Sequence, residues 1–333
     1  MKSVFLCEQA DNIGKVYAQS TVSLLEAEAS LDTRVYTKRD VTETPERFKE
    51  TEYIFSSWGM PVLTADGITE YFPQLKCVFY AAGSVQSFAR PFLERGIKVF
   101  SAWAANAVPV AEYTAAQIIL ANKGFFKTAQ KMSGGDVPAA REAFEHYIGN
   151  YGAKVGIIGA GMIGKLVIQA LKNHRLEILV FDPFLPDKTA GELGVKKCGL
   201  DELFRNCSVV SNHLANNEQT KGMLDYGLFS SMPPYSVFIN TGRGAQVVES
   251  DLAKALENRP DLTAVLDVTD PEPPVSHSPF YSLENCILTP HIAGSSGSEV
   301  HRMAEYISDE FLRFKKGLPC RYEVTLKMLD TMA

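Results

Sequence analysis

The chain has no apolar run long enough to span a bilayer, no block of basic residues and no two cysteines at CxxC spacing. A membrane-crossing helix needs about 20 consecutive apolar residues, so the first absence leaves no candidate span. The second, together with a net charge of −6 and no aromatic-interleaved basic patch, removes the electrostatic footprint of a nucleic-acid binder. The third argues against a thiol redox centre or a cysteine metal site. Cys7, Cys77, Cys198, Cys207, Cys286 and Cys320 are scattered through mostly apolar, strand-like contexts, so buried free thiols are expected, with no bound metal. The opening MKSVFLCEQAD offers no apolar stretch of signal-peptide length, which makes a reducing cytoplasm the expected setting. Tryptophan is scarce. Trp58 and Trp103 each follow an apolar run, where an aromatic either walls a pocket or packs into the core.

What is present is alternation. At 333 residues the chain suits two domains. Apolar strand-like runs at 4–7, 34–36, 53–56, 77–81 and 99–101 alternate with helical stretches, the first of them over 13–29, and imply βαβ units in a parallel sheet. Residues 106–132 read as one long helix with Pro109 in its first turn. A glycine- and proline-bearing loop over 133–151 follows. Strands are then expected at 155–158, 178–181, 208–213, 236–240, 263–268 and 286–289, with helices near 222–231 and over 249–258. GSEVHRMAEYISDEFLRFKKG is helical in pattern, with Gly317 as its stop.

The chain is organised around KVGIIGAGMIGKLVIQALKNHRLEILVFD, residues 154–182: a strand, a glycine turn, a helix and a second strand ending in an acid. Gly159 permits the tight turn, Gly161 lets backbone approach a pyrophosphate, and Gly164 lets the helix pack on its strand. The helix N-terminus offers free amides and partial positive charge to a diphosphate. Asp182, at the end of the second strand, is placed to accept hydrogen bonds from a ribose 2′-hydroxyl and to repel a 2′-phosphate, which favours NAD over NADP. A turn that needs glycine only for its φ angles would have no reason to carry this strand, helix and acid around it.

Three later strand ends carry polar residues, at the edge where open α/β sheets place ligands. In VFINTGRG, Arg243 between two glycines either presents its fork to a planar carboxylate or closes a surface salt bridge. In AVLDVTDPEPP, Asp267 closes a buried strand, and Glu272 in a proline-stiffened loop is either held for a purpose or simply solvated. In ILTPHIAGS, His291 is a general acid/base or a satisfied structural histidine.

In this order and spacing, GIIGAGMIG, INTGRG, LDVTDPEP and TPHIAG resemble the four signatures of the D-isomer-specific, NAD-dependent 2-hydroxyacid dehydrogenases, and NAVPVAEYTAAQIIL resembles the helix that precedes that family's fingerprint. The similarity spans roughly residues 77–306; earlier residues share only the βα rhythm. The resemblance implies two doubly wound parallel-sheet domains: a Rossmann-type NAD-binding domain over 105–299 and a flavodoxin-like substrate domain over 1–104 plus 300–333. It implies interconversion of a small D-2-hydroxy acid and its 2-oxo acid. Carried over residue by residue, the family's catalytic arginine falls on Arg243, its glutamate on Glu272 and its histidine on His291. Glu272 would orient the imidazole and raise its pKa, and Arg243 would pair the substrate carboxylate and polarise the carbonyl. Ala82, Gly83 and Ser84 look like the loop whose amides bind that carboxylate. The resemblance also places the Met162 and Ile163 amides on the diphosphate and Asp267 on the nicotinamide carboxamide. His213, Thr241 and Gly294 would lie along the rest of the cofactor.

Two departures stand out. Many relatives have a basic residue at Met162, which implies one phosphate contact fewer, and the family's proline after the His213 position is Ala215. The long helix resembles the family's dimer-forming region, so a homodimer is expected. Two rivals remain. Formate oxidation on this fold uses a glutamine where Glu272 stands. A non-catalytic, co-repressor-like NAD(H) sensor is argued against by the intact Arg243, Glu272 and His291.

Overall fold

The computed structural model describes residues 2–329. It divides into two compact units, one formed by residues up to Asn106 together with those from Ser295 onward, the other by Ala107–Gly294. These divisions fall at 106/107 and 294/295 rather than at 104/105 and 299/300.

In the first unit, β1 (Ser3–Leu6), β2 (Leu31–Tyr36), β3 (Tyr53–Ser56), β4 (Cys77–Tyr80) and β5 (Lys98–Ser101) form a parallel sheet in the order β2-β1-β3-β4-β5, the flavodoxin-like winding. A short strand, Glu323–Val324, adds antiparallel to β5, which the sequence reading did not anticipate. The strands are continuous apolar runs because helices cover both faces. Register places Phe55, Phe79 and Phe100 side by side, their rings stacked at 5.2 and 4.9 Å. Phe311 of the helix His301–Lys315 meets Phe55 and Phe79 edge-on at 5.5 Å each. Met303, Ala304, Ile307 and Phe311 form that helix's buried stripe, and Gly317, at φ +64, follows its end.

The helix expected over 13–29 is two, Ala10–Val16 and Gln19–Ala29. The chain turns at Tyr17, whose ring packs on Phe5 at 4.9 Å and whose hydroxyl donates to Ser56 O. Core packing overrides the helical pattern there.

In the second unit, β6 (Lys154–Ile158), β7 (Glu177–Phe181), β8 (Lys196–Lys197), β9 (Val209–Asn212), β10 (Val237–Asn240), β11 (Thr263–Leu266) and β12 (Cys286–Leu288) pair in the order β12-β11-β10-β9-β6-β7-β8, all parallel. This is the Rossmann winding, whose order reverses between β6 and β9.

The long helix expected over 106–132 starts earlier, at Trp103, and ends at Asn122; a second helix follows at Phe125–Ser133. Gly124, at φ +67, makes the break, and a Cβ on it would lie 2.2 Å from the Tyr147 ring. Pro109 consequently lies inside the helix, not in its first turn. The expected loop contains another helix, Val137–Phe144, capped by Asp136 accepting from Ala139 N. All six cysteines are free. Among the described residues no helix is long and apolar enough to cross a membrane, and no cluster of candidate metal ligands occurs.

Candidate active site

The site assembles at the C-terminal ends of the parallel strands of the second unit. The glycine turn leaves β6 where the winding reverses. His213 N donates to Ile158 O at 2.7 Å, and a Cβ on Gly159 would stand 2.8 Å from His213 O. A Cβ on Gly164 would fall 2.0 Å from Gly159 O, whereas none on Gly161 would meet anything within 4 Å. So two glycines are demanded by backbone approach and the third leaves open space over the start of the helix Met162–Leu171. The first-turn amides of that helix, those of Met162 and Ile163 included, have no intrahelical acceptor. This is a cradle that suits a diphosphate. Met162 is exposed and brings no charge to it.

Asp182 faces this turn. Its Oδ2 accepts from Ala160 N at 2.7 Å and its Oδ1 from Phe184 N at 2.8 Å. Each oxygen keeps a lone pair for a ribose hydroxyl. The acid that would read the ribose therefore also pins the glycine turn.

Three strand ends supply the rest. After β10, Arg243 is partly buried, and its Nη1 donates to Gly242 O at 2.8 Å. Among the described residues it closes no ion pair, so the surface salt bridge is not its role. Burial pushes its guanidinium pKa down, opposed by the nearby charge of Glu272. Gly244 follows because the Thr269 carbonyl carbon would lie 2.0 Å from a Cβ there.

After β11, Asp267 is buried, with Oδ1 accepting from Thr289 Oγ1 at 2.6 Å and Ile292 N at 2.8 Å and Oδ2 from Ala293 N at 2.9 Å. Its carboxylate thus shapes the histidine loop, and one lone pair on Oδ2 stays open. After β12, His291 sits at φ +55 with its amide on Asp267 O. Its Nδ1 is 2.7 Å from Glu272 Oε1, and both side chains are more than 40% exposed. Nε2 is left free to meet a ligand. Gly294 follows directly on this loop.

Other predicted positions are enclosed. Thr241 Oγ1 is 3.0 Å from Thr114 Oγ1 in a buried pair. The His213 ring is buried, with Nε2 on Ser211 Oγ at 3.0 Å and Nδ1 without a partner among the described residues. Burial pushes its pKa down to about 3.

Sequence reading missed a buried amide network. Asn212 Nδ2 donates to Asn240 Oδ1 at 3.0 Å and Gln246 Oε1 at 2.8 Å, and Gln246 Oε1 also accepts from Arg243 N. It locks the turn that carries Arg243. Each partner is 28 or more residues distant along the chain from Asn212, and the only local signal was a polar residue ending each apolar strand.

In the first unit, Ala82–Val85 follow β4. Ala82 O accepts from Ala102 N and Ser101 Oγ, while the Gly83 and Ser84 amides donate to nothing among the described residues. Trp103 packs into the core edge-on to Tyr322, and Trp58, 39% exposed, stands after β3.

Comparison with known proteins bears on this arrangement. Residues 115–293 match the family model described as D-isomer specific 2-hydroxyacid dehydrogenase, NAD binding domain. A D-3-phosphoglycerate dehydrogenase of Archaeoglobus fulgidus is 30% identical over 241 residues, 71% of this chain and 44% of that protein. A glyoxylate reductase of Korarchaeum cryptofilum is 34% identical over 167 residues, half of each chain. The chain spans about half the length of the curated relatives it matches. Apo D-mandelate dehydrogenase of Rhodotorula graminis superposes with a TM-score of 0.82 at 20% identity, covering 97% of both chains, a likeness of fold.

Proposed function

Because the chain belongs to the D-isomer specific 2-hydroxyacid dehydrogenases and carries their NAD-binding domain, we propose that it is an NAD-dependent oxidoreductase interconverting a small D-2-hydroxy acid and its 2-oxo acid. The observation that carries the reading is the 2.7 Å contact between His291 Nδ1 and Glu272 Oε1, with Arg243 unpaired nearby. NADH held on the glycine turn would supply the hydride for the keto carbon. His291 Nε2 donates the proton that the keto oxygen takes up and, in oxidation, accepts it back from the hydroxyl. Glu272 fixes which ring nitrogen faces the substrate. Arg243 pairs the carboxylate and stabilises charge developing on the carbonyl oxygen; in the first unit the Gly83 and Ser84 amides, which donate to nothing among the described residues, suit a carboxylate as well. Asp267 takes the carboxamide with its open lone pair, and Gly159, Gly161, Gly164, Asp182 and Gly294 build the rest of the cofactor surface, with the Thr241 and His213 side chains enclosed behind it.

We also infer a homodimer, because the helix Phe125–Ser133 buries none of its residues and leaves Phe125 and Met132 about half exposed. Six free thiols suit a reducing cytoplasm.

The test is NADH consumption with glyoxylate, hydroxypyruvate, pyruvate and longer 2-oxo acids. At least one should turn over, and His291→Ala should lower that turnover by about 10² to 10⁴ with NADH affinity little changed. NADH binding without turnover of any 2-oxo acid would favour a non-catalytic NAD(H) sensor instead.

A further inference from the structure

Glu272 is more than 40% exposed, and among the described residues its carboxylate is held by His291 alone. Packing does not hold a side chain in that position, so the backbone of its loop must. Within the loop the Thr269 hydroxyl donates to Pro271 O at 2.9 Å, and Tyr281 Oη donates to Pro274 O; two further contacts on that backbone come from the segment that carries Arg243. Gly244 gives Thr269 room: a Cβ there would meet the Thr269 carbonyl carbon at 2.0 Å and its oxygen at 2.3 Å. Five residues later, Glu249, the first residue of the helix Glu249–Asn258, accepts from the Asp270 amide with Oε1 at 2.8 Å. Glu249 is itself half-buried beside Leu252, Leu266, Val268 and Phe280. A carboxylate taken that far out of water is costly unless it makes a bond worth keeping. Here the bond goes to an exposed loop, two residues before Glu272.

We propose that Glu249 is a positioning residue, which clamps the Asp270 amide so that Glu272 stays within hydrogen-bond reach of His291 and in register with Arg243. The inference rests on the dehydrogenase reading above. It adds a residue that never meets substrate or cofactor and acts only through Glu272. A displacement of about 1 Å at a reacting group costs on the order of 10² in rate, so a single backbone bond is enough to matter.

The experiment compares Glu249→Ala, Glu249→Gln, Glu272→Ala and the double variant Glu249→Ala/Glu272→Ala in NADH-dependent 2-oxo acid reduction. NADH binding by fluorescence verifies that each variant is folded. Glu249→Ala should lose about 10- to 100-fold in kcat with KM for NADH unchanged. Glu249→Gln, whose amide oxygen still accepts from Asp270 N, should recover to within about three-fold of the unaltered protein. In the Glu272→Ala background Glu249→Ala should cost nothing more, because no acceptor for His291 Nδ1 is left to position. Unchanged kcat in Glu249→Ala, failure of Glu249→Gln to rescue, or fully multiplicative losses in the double variant would each overturn the proposal. Hydrogen exchange at the Asp270 amide gives a readout that needs no turnover. Protection should fall in Glu249→Ala and persist in Glu249→Gln. Loss of that pattern defeats the clamp, whereas an intact pattern with no 2-oxo acid reduced by the unaltered protein defeats only the dehydrogenase reading.

Discussion

His291 occupies φ +55, a left-handed conformation that a histidine keeps only when its surroundings hold it there. Asp267 does the holding: its carbonyl takes the His291 amide, and its carboxylate takes the Ile292 and Ala293 amides and the Thr289 hydroxyl. Asp267→Asn leaves one acceptor oxygen and sets an NH₂ against an amide donor. The expected result is a loss of about 1–3 kcal/mol of stability, from the unmet amide, and a fall in kcat of about 10², from misplacement of the imidazole. Urea unfolding and steady-state kinetics on the same preparation check both, and full activity would detach Asp267 from the histidine. An acid ending a buried strand and a histidine before a glycine were visible in the sequence as isolated suspicions. The hydrogen bonds between them were not, because they join residues 24 to 26 positions apart through backbone donors that leave no mark on side-chain identity. Asn212, Asn240 and Gln246 were hidden by distance instead, since their side chains pair across 28 and 34 residues of chain.

At the scale of elements, what was local was legible. The strand, turn, helix and strand from Lys154 to Asp182 follow from apolar runs and glycine spacing within one stretch, and the helix Glu249–Asn258 was read with its observed bounds. Gly124 was a local stop signal that the single-helix reading ran through: at φ +67 it ends the helix, and Tyr147, 23 residues further on, fills the space that a Cβ there would need. What depended on distant packing was not legible. The split at Tyr17 comes from a ring drawn into a core that the local sequence does not contain. The glycine turn makes a sharper prediction. Gly164→Ala would drive a methyl to 2.0 Å from Gly159 O, so the helix must back away from β6. Overpacking of this kind costs about 1–3 kcal/mol, and it also withdraws the first-turn amides from the diphosphate. NADH titration of Gly164→Ala should show affinity lowered by at least about 10-fold, the equivalent of 1.4 kcal/mol. Gly161→Ala, whose Cβ meets nothing, should leave the melting temperature unchanged, which separates folding strain from cofactor contact.

For the molecule as a whole, the second unit stores a pH dependence in His213. Its ring is enclosed at the point where the sheet winding reverses, with Nδ1 unpartnered and a pKa pushed down to about 3 by burial. In the unfolded chain the same ring titrates near 6.5. Above that pH both states hold it neutral, and it costs nothing. As pH falls below 6.5 the unfolded state takes up a proton that the folded state refuses, so stability declines by about 1.4 kcal/mol per pH unit until the folded pKa is reached. Between pH 6.5 and 4.5 the loss should come to about 2–3 kcal/mol. Paired carboxylates such as Asp40 and Asp261 have pKa values lowered in the folded state, and they withdraw their support mainly at more acid pH. Glu249, whose carboxyl burial pushes upward, works in the opposite direction and gains stability as it protonates. A difference curve removes both. His213→Gln keeps a polar group beside Ser211 but does not titrate, so urea unfolding of the two proteins from pH 7.5 to 4.5 should show curves that converge toward the acid end by that 2–3 kcal/mol. Parallel curves would mean that the buried ring is charged or water-exposed in the folded protein, and that the close approach of Gly159 to the His213 carbonyl does not seal it.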